Sequence, residues 1–413
     1  MYKRQLYERY GTMSWGELLA PSIRYAEEGF PCNLRLWSAI SAAASELGGT
    51  KEWAHIFLPK GRPPAPGEIF RQPELGRTLR LIAEEGPESF YDGELASTIS
   101  QYIAQDGGLM TEEDLSGFSP QVCKPIQTDY RGFTVYEQPP VSQGHILLEE
   151  LNILEGFDLE GLDPRGADAV HLMVEAKKLA FADRDAHAGD PNFVDFEVRR
   201  IISKGHASKI RELIDTERAS LPRSRGWVEG ETTYFAIADG KGNAVSFIQS
   251  LFHSFGCGRV VPGTGILLNN RMCGFSLDPS SPNRLEGGKR TVHTLNTYMV
   301  FWEDAPLFIG GTPGGDVQVQ TNLQILTSLI DWGFNIQEAV ERPRWASGAG
   351  LDLVLEDGFP PSTVQTLRHR GHHVEVVGRW RGSGAAQLVM IHPESGGLLG
   401  ASDPRCDGCA IGS

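Results

Sequence analysis

GETTYFAIADGKGNAVSFIQSLFHSFGCGRVVPGTGILLNN, residues 230–270, is the stretch on which the fold turns. Thr232 and Thr233 open it, and apolar residues alternate at Phe235 and Ile237 and again at Val245 and Phe247. Between the two runs lies Asp239-Gly240-Lys241-Gly242-Asn243. Period-two alternation on either side of such a turn cluster predicts a β-hairpin. A Gly-rich stretch, Gly256, Gly258, Gly263 and Gly265, then leads into the apolar Ile266 to Leu268. Upstream, residues 216–231 are polar, hold Pro222 and three arginines and show no sustained period, which is the composition of a linker. Thr232 therefore stands where a linker enters a strand.

Two readings of that position are open on spacing alone. Thr is enriched in strands for packing reasons, so the pair can be ordinary hairpin sequence. A Thr just after an exposed segment also suits a nucleophile whose own α-amine, freed by a chain cut, serves as general base.

Outward from this stretch, 413 residues give room for one large domain or two to three ordinary ones. Apolar residues at 40% can fill a core, and charged residues at 22% can cover it. A formal net charge of −15 argues against nucleic acid or an anionic membrane surface as partner. No run approaches the eighteen or so consecutive apolar residues of a membrane span, and no signal-peptide core is visible. The six cysteines do not define a disulfide scaffold, and Cys406-x-x-Cys409 lacks the second pair of a metal site. No metal or organic cofactor is expected. His372-His373 reads as a surface turn.

Helical periods are expected over residues 15–50, 75–84, 93–103, 145–154, 167–187, 317–332, 335–341 and 361–370, with Thr111 and Asp114 as a capping pair. Phe90-Tyr91 reads as a turn. Strands are expected near 122–126, 133–136, 289–301 and 305–309. Gly310 to Gly315 forms a tight loop without the Lys-[Ser/Thr] of a phosphate-binding loop. Composition alone supports a mixed α and β protein.

Several pieces, in order, resemble the γ-glutamyltranspeptidase (glutathione hydrolase) family. They are Thr232-Thr233, Asp239, Gly242 to Val245, Phe255-Gly-Cys-Gly258, Gly265-Ile-Leu-Leu-Asn-Asn270, Gly311-Thr-Pro-Gly-Gly315 and Gly400-Ala-Ser-Asp-Pro-Arg405, with Phe181-Ala-Asp-Arg-Asp185 further upstream. The resemblance implies an α+β fold, the four-layer αββα sandwich of N-terminal nucleophile hydrolases. It also implies Thr232 as nucleophile, Ser250 as the second hydroxyl beside it, and Gly314 and Gly315 as backbone donors to the oxyanion. Cleavage before Thr232 would leave a large chain, residues 1–231, and a small chain, residues 232–413. These would stay together as one globular heterodimer acting on a γ-glutamyl or related acyl amide, with water or an amine as acceptor. The opening residues resemble an internal part of the family, so an N-terminally incomplete member is expected.

The recognition positions depart from the family. Its Asn after the second hydroxyl is Phe252 here, its Gln-x-x-Asp is Arg271-Met-Cys-Gly274, and its Ser-Ser pair is His293-Thr294. Arg271, His293 and Thr294 are thus the candidate substrate-binding residues, and without the acid that pairs an α-ammonium the specificity is expected to shift. Arg271 would favour an anionic acyl group without an amine, of the glutaryl type. An unprocessed chain with a binding role only is the third alternative.

Overall fold

The computed structural model describes residues 4–221, 230–382 and 384–412. Half of the expected linker, residues 222–229, lies outside them. The described chain divides into two compact units, residues 1–123 with 253–270, and 124–252 with 271–413.

In the first unit, helices Trp15–Glu28, Leu34–Leu47, Pro73–Glu85 and Glu94–Gln105 follow the expected periods, and a further helix, Lys51–Phe57, was not expected. Ser14 and Glu17 close a reciprocal capping box on the first, as Thr111 and Asp114 do on Glu112–Ser116. Phe90-Tyr91 ends a one-turn helix, Glu88–Tyr91, rather than a plain turn. Trp53, Phe57, Phe70 and Phe255 form an aromatic core with Ile40. Phe255 takes φ 59° and Gly256 φ 56°, and a Cβ on Gly256 would lie 2.0 Å from the Leu268 carbonyl oxygen. Phe-Gly-x-Gly is therefore a packing requirement, because only Gly fits that approach.

The second unit is built on a six-stranded sheet in the order β11-β10-β6-β5-β2-β1, antiparallel throughout. Its strands are β1 (Ile126–Tyr130), β2 (Phe133–Glu137), β5 (Thr297–Trp302), β6 (Ala305–Gly311), β10 (Gln387–Ile391) and β11 (Leu398–Ser402). The predicted hairpin is present as β3 (Glu231–Ala238) and β4 (Ala244–Phe252). Asp239 shapes its turn by accepting from Lys241 N and Asn243 N, each at 2.9 Å. The hairpin lies against β5, β6 and β10. Tyr234 sits over Gly311, where an added Cβ would come within 2.5 Å of its ring. Helices α1 (Gly144–Leu154), α2 (Ala167–His187) and α3 (Val317–Ile330) pack with one another and with β1, β2 and β6 around the main core.

The fold is α+β, as expected. The second sheet of the sandwich is here a two-stranded hairpin, and Phe235, Ile237 and Val245 on it are exposed. A smaller three-stranded sheet holds β7 (Trp345–Ser347), β8 (Asp352–Glu356) and β9 (His373–Val377), with helix Pro361–His369 between the last two.

Three further expectations are corrected. The strand expected near 122–126 begins at Ile126 and runs to Tyr130. The strand expected from Lys289 begins only at Thr297. Before it, backbone donors bond to side chains instead of a ladder, as in Val292 N to Asn283 Oδ1 (3.0 Å) and Asn296 N to Gln318 Oε1 (3.1 Å). His372 is not on the surface but 2% exposed, with Nε2 2.8 Å from His171 Nδ1.

The Gly400–Arg405 motif is also structural. Asp403 is buried, accepts from Ala386 N at 2.9 Å, and pairs with Arg344 and with Arg405 Nη1. Arg405 Nε in turn reaches Glu356 Oε1 at 2.7 Å. Removing one partner strands a buried charge, so Asp403→Ala is expected to destabilise the fold by about 3–5 kcal/mol in urea unfolding.

Candidate active site

The linker enters the hairpin at a defect in the ladder. Glu231 pairs with Phe252 and Thr233 with Gln249, so Ser250 and Leu251 of β4 together face the single residue Thr232, a bulge whose extra residue lies on β4. Bulges re-aim side chains. Thr232 Oγ1 accepts from Gln318 Nε2 at 3.4 Å. Ser250 Oγ donates to the Glu231 carbonyl oxygen at 2.5 Å and accepts from Phe252 N at 2.7 Å. The carbonyl ahead of Thr232 is thus already polarised by a hydroxyl.

Facing this corner is the loop from β6 into α3. Gly314 takes φ 128° and Gly315 φ 58°, a conformation that side-chain-bearing residues rarely adopt. Their carbonyls accept from Val317 N and Gln318 N, at 3.1 and 3.2 Å, which starts α3. Neither glycine N–H has an acceptor among the described residues. An amide pair at the N-terminus of a helix carries partial positive charge and suits a developing oxyanion. Gly230 packs on it: a Cβ there would lie 3.5 Å from Gly315 N and 3.3 Å from the Phe252 carbonyl oxygen.

The loop is anchored from beneath. Asp316 is 1% exposed and accepts from Arg184 Nη1 at 2.8 Å and Gln143 Nε2 at 3.2 Å. Arg184 also pairs with Asp185. Gln318, in the first turn of α3, is fully buried and links Thr232 to Asn296 N. Asn296 donates to Glu137 Oε1 at 2.7 Å and accepts from Asn322 Nδ2 at 2.5 Å. Burial pushes the Glu137 carboxyl well above the usual range.

Of the residues expected from sequence, Thr232, Ser250, Gly314 and Gly315 gather in this one corner. Arg271 and His293 form the adjoining wall. The Arg271 guanidinium lies 4.3 Å over the Phe252 ring, and Phe252 itself holds φ 81°, a strained backbone for a bulky residue. His293 N donates to Val141 O at 3.0 Å, while its Nδ1 is buried without a hydrogen bond. Thr294 is 6% exposed, and its hydroxyl makes no hydrogen bond among the described residues. Gln318, Asn296, Glu137, Gln143 and Asp316 were not singled out in advance. The signal was present in Val317-Gln-Val-Gln-Thr-Asn322, whose polar side chains are too many for a buried helix without partners.

The family model for γ-glutamyltranspeptidase matches residues 2–413. The chain is a member of the γ-glutamyltranspeptidase family. Over 411 residues it is 40% identical to the glutathione hydrolase-like YwrD proenzyme of Bacillus subtilis, covering 98% of this chain and 78% of that one. Over 401 residues it is 37% identical to the oxamate amidohydrolase proenzyme of Klebsiella pneumoniae, covering 96% and 75%. Among solved structures, cephalosporin acylase from Bacillus halodurans superposes with a TM-score of 0.92 at 40% identity, over 98% of this chain and 75% of that one. Membership places the chain among amide-cleaving hydrolases and acyltransferases of the N-terminal nucleophile class. No helix among the described residues is long and apolar enough to cross a membrane.

Burial and the neighbouring Arg271 lower His293 to about 3 from the ordinary 6.5. The unfolded chain therefore takes up a proton below pH 6.5 that the native chain refuses, and stability is lost as pH falls from 6.5 towards 3. Between pH 7.5 and 5.0, the urea-unfolding advantage of wild type over His293→Gln is expected to shrink by on the order of 1–2 kcal/mol. A pH-independent difference would show an imidazole that titrates normally.

Proposed function

We propose that this family member is a self-processing amidohydrolase and acyltransferase with Thr232 as its nucleophile. The observation that carries the reading is the Ser250 hydroxyl bonded to the Glu231 carbonyl, at the β4 bulge that faces Thr232. In the first reaction, Thr232 Oγ attacks the Glu231 carbonyl carbon and the amide nitrogen leaves, forming an ester. Water then hydrolyses the ester and frees the Thr232 α-amine. The products, residues 1–231 and 232–413, remain associated as a heterodimer. In the second reaction the α-amine takes the Oγ proton as the hydroxyl attacks a substrate amide. The tetrahedral oxygen is held by Gly314 N–H and Gly315 N–H, and the leaving amine departs with a proton. The acyl-enzyme is resolved by water or by an acceptor amine. The similarity to a glutathione hydrolase-like proenzyme supports γ-glutamyl amides as the substrate class.

A second acyl specificity is favoured by one observation. Where the family carries an acid for the substrate α-ammonium, Gly274 sits with its Cβ position 2.8 Å from Thr291 Oγ1 and 3.1 Å from the Val292 carbonyl oxygen, which leaves no room for a carboxylate. Next to it is the cationic Arg271. That pairing suits an acyl chain ending in a carboxylate without an amine, a glutaryl-type amide, in line with the acylase and amidohydrolase relatives.

Intact-mass analysis of fresh protein is expected to give two chains, the smaller beginning at Thr232, and Thr232→Ala is expected to stay whole. An uncut wild-type chain would overturn the nucleophile assignment. Ser250→Ala is expected to slow the cut by roughly 10²-fold, the effect of losing one donor to a reacting carbonyl. With processed enzyme, kcat/KM on γ-glutamyl and glutaryl p-nitroanilides separates the two acyl classes. If the glutaryl substrate is preferred, Arg271→Ala is expected to lower its kcat/KM by about 10- to 100-fold, the effect of losing a charged hydrogen bond.

A further inference from the structure

We propose that Glu149, Asp183 and His206 form a binding site for one divalent first-row transition ion of the zinc or manganese type. The three residues come from α1, α2 and helix Lys204–Arg211, and their ligand atoms all lie within 4.8 Å of one another. Glu149 is fully buried, and neither carboxylate oxygen makes a hydrogen bond. The basic atom facing it is His206 Nε2, 3.5 Å from Oε1, and that nitrogen also lies 2.5 Å from Asp183 Oδ2. A second carboxylate thus faces a first that has no nitrogen donor within hydrogen-bond distance among the described residues, an arrangement costly to bury unless a proton or a cation joins them. One turn before Glu149, His145 adds a buried Nε2, also without a hydrogen bond.

The donor set fits such an ion. Zinc holds imidazole nitrogen and carboxylate oxygen at about 2.0–2.2 Å, which puts neighbouring donors about 3–3.5 Å apart. The His206–Glu149 spacing already meets this, and the His206–Asp183 contact needs to open by less than about 1 Å. An imidazole with two carboxylates favours zinc or manganese over calcium or magnesium, which take oxygen ligands. The two carboxylates balance the charge of the ion. Asp183 and His206 side chains remain 21% and 14% exposed, which leaves a way in.

A second cluster of the same residue types shows the contrast. His171, Glu175 and His372 also lie close together, but there the carboxylate is engaged, and His372 Nδ1 is the buried atom left without a hydrogen bond. His171 bonds to His372 and to the Asp215 carbonyl, both at 2.8 Å, and Glu175 pairs with Lys178 Nζ at 2.8 Å. Lys178 supplies the cation in that cluster, and no lysine among the described residues does so at Glu149. The proposed ion would fasten α1 to α2 one residue from Arg184, which holds Asp316 under the Gly314–Gly315 loop.

The test uses the full chain, stripped with a chelator and titrated with zinc chloride by calorimetry, with melting followed in parallel. One ion per chain is expected, with a rise in Tm on binding. Glu149→Gln and His206→Gln are each expected to weaken binding at least about tenfold and to remove the rise in Tm, while His372→Gln leaves both unchanged. Glu149→Gln keeps the shape of the side chain and adds no charge, so it is expected to fold, and its circular dichroism checks this. No binding at millimolar zinc, or binding that both variants retain at wild-type affinity, would overturn the proposal.

Discussion

The Arg184–Asp316 ion pair, 2.8 Å long and almost out of water, is the contact on which the rest of the second unit depends. It joins the end of α2 to the start of α3, and Gln143, at the start of α1, bonds to the same carboxylate. Three helices are thereby fixed at the point where β6 hands the chain to the glycine loop. A carboxylate at a helix start is favourable through the dipole, and the buried guanidinium removes the desolvation problem it would otherwise carry. The two glycine amides are left pointing at a hydroxyl-lined corner with no acceptor of their own. The pair acts through positioning and does not touch the reacting atoms.

The corner also shows how polar groups are afforded in a dry interior. Gln318, Gln320, Asn322 and Gln324 all lie buried on α3. Each reaches a backbone or side-chain partner: Gln318 to Thr232, Gln320 and Gln324 to the edge of β7, and Asn322 to Asn296. A largely satisfied network of this kind, with Asn322 Oδ1 left over, favours one arrangement of α3 against its neighbours where an apolar helix would allow several.

Much of this was legible in the chain itself, and the residues that were not share a cause. The hairpin was readable because its signals are local: alternation on both strands, and an Asp that builds the turn with its own side chain. The glycine loop was readable from the family pattern, and its backbone angles explain why glycine stands there. Gln318 and Asn296 were not, because a buried amide looks like any surface amide until its distant partner is known. His372 was misplaced for the same reason: its partner, His171, is 201 residues away. Residues 289–296 have strand-like composition, yet side chains from elsewhere capture their backbone donors, and sequence period carries no trace of that.

Phe255-Gly-Cys-Gly258 is the most recognisable phrase of the chain, and what it does in the fold is pack and bend its own loop. Gly256 is required by the Leu268 carbonyl that presses on it, and Phe255 by the aromatic cluster around Trp53 and Phe57. A chain that kept this phrase and lost Thr232 would still bend its loop the same way. The phrase therefore records ancestry, and a classifier that weights it heavily will gather relatives by the shape of a turn, catalysts and non-catalysts alike.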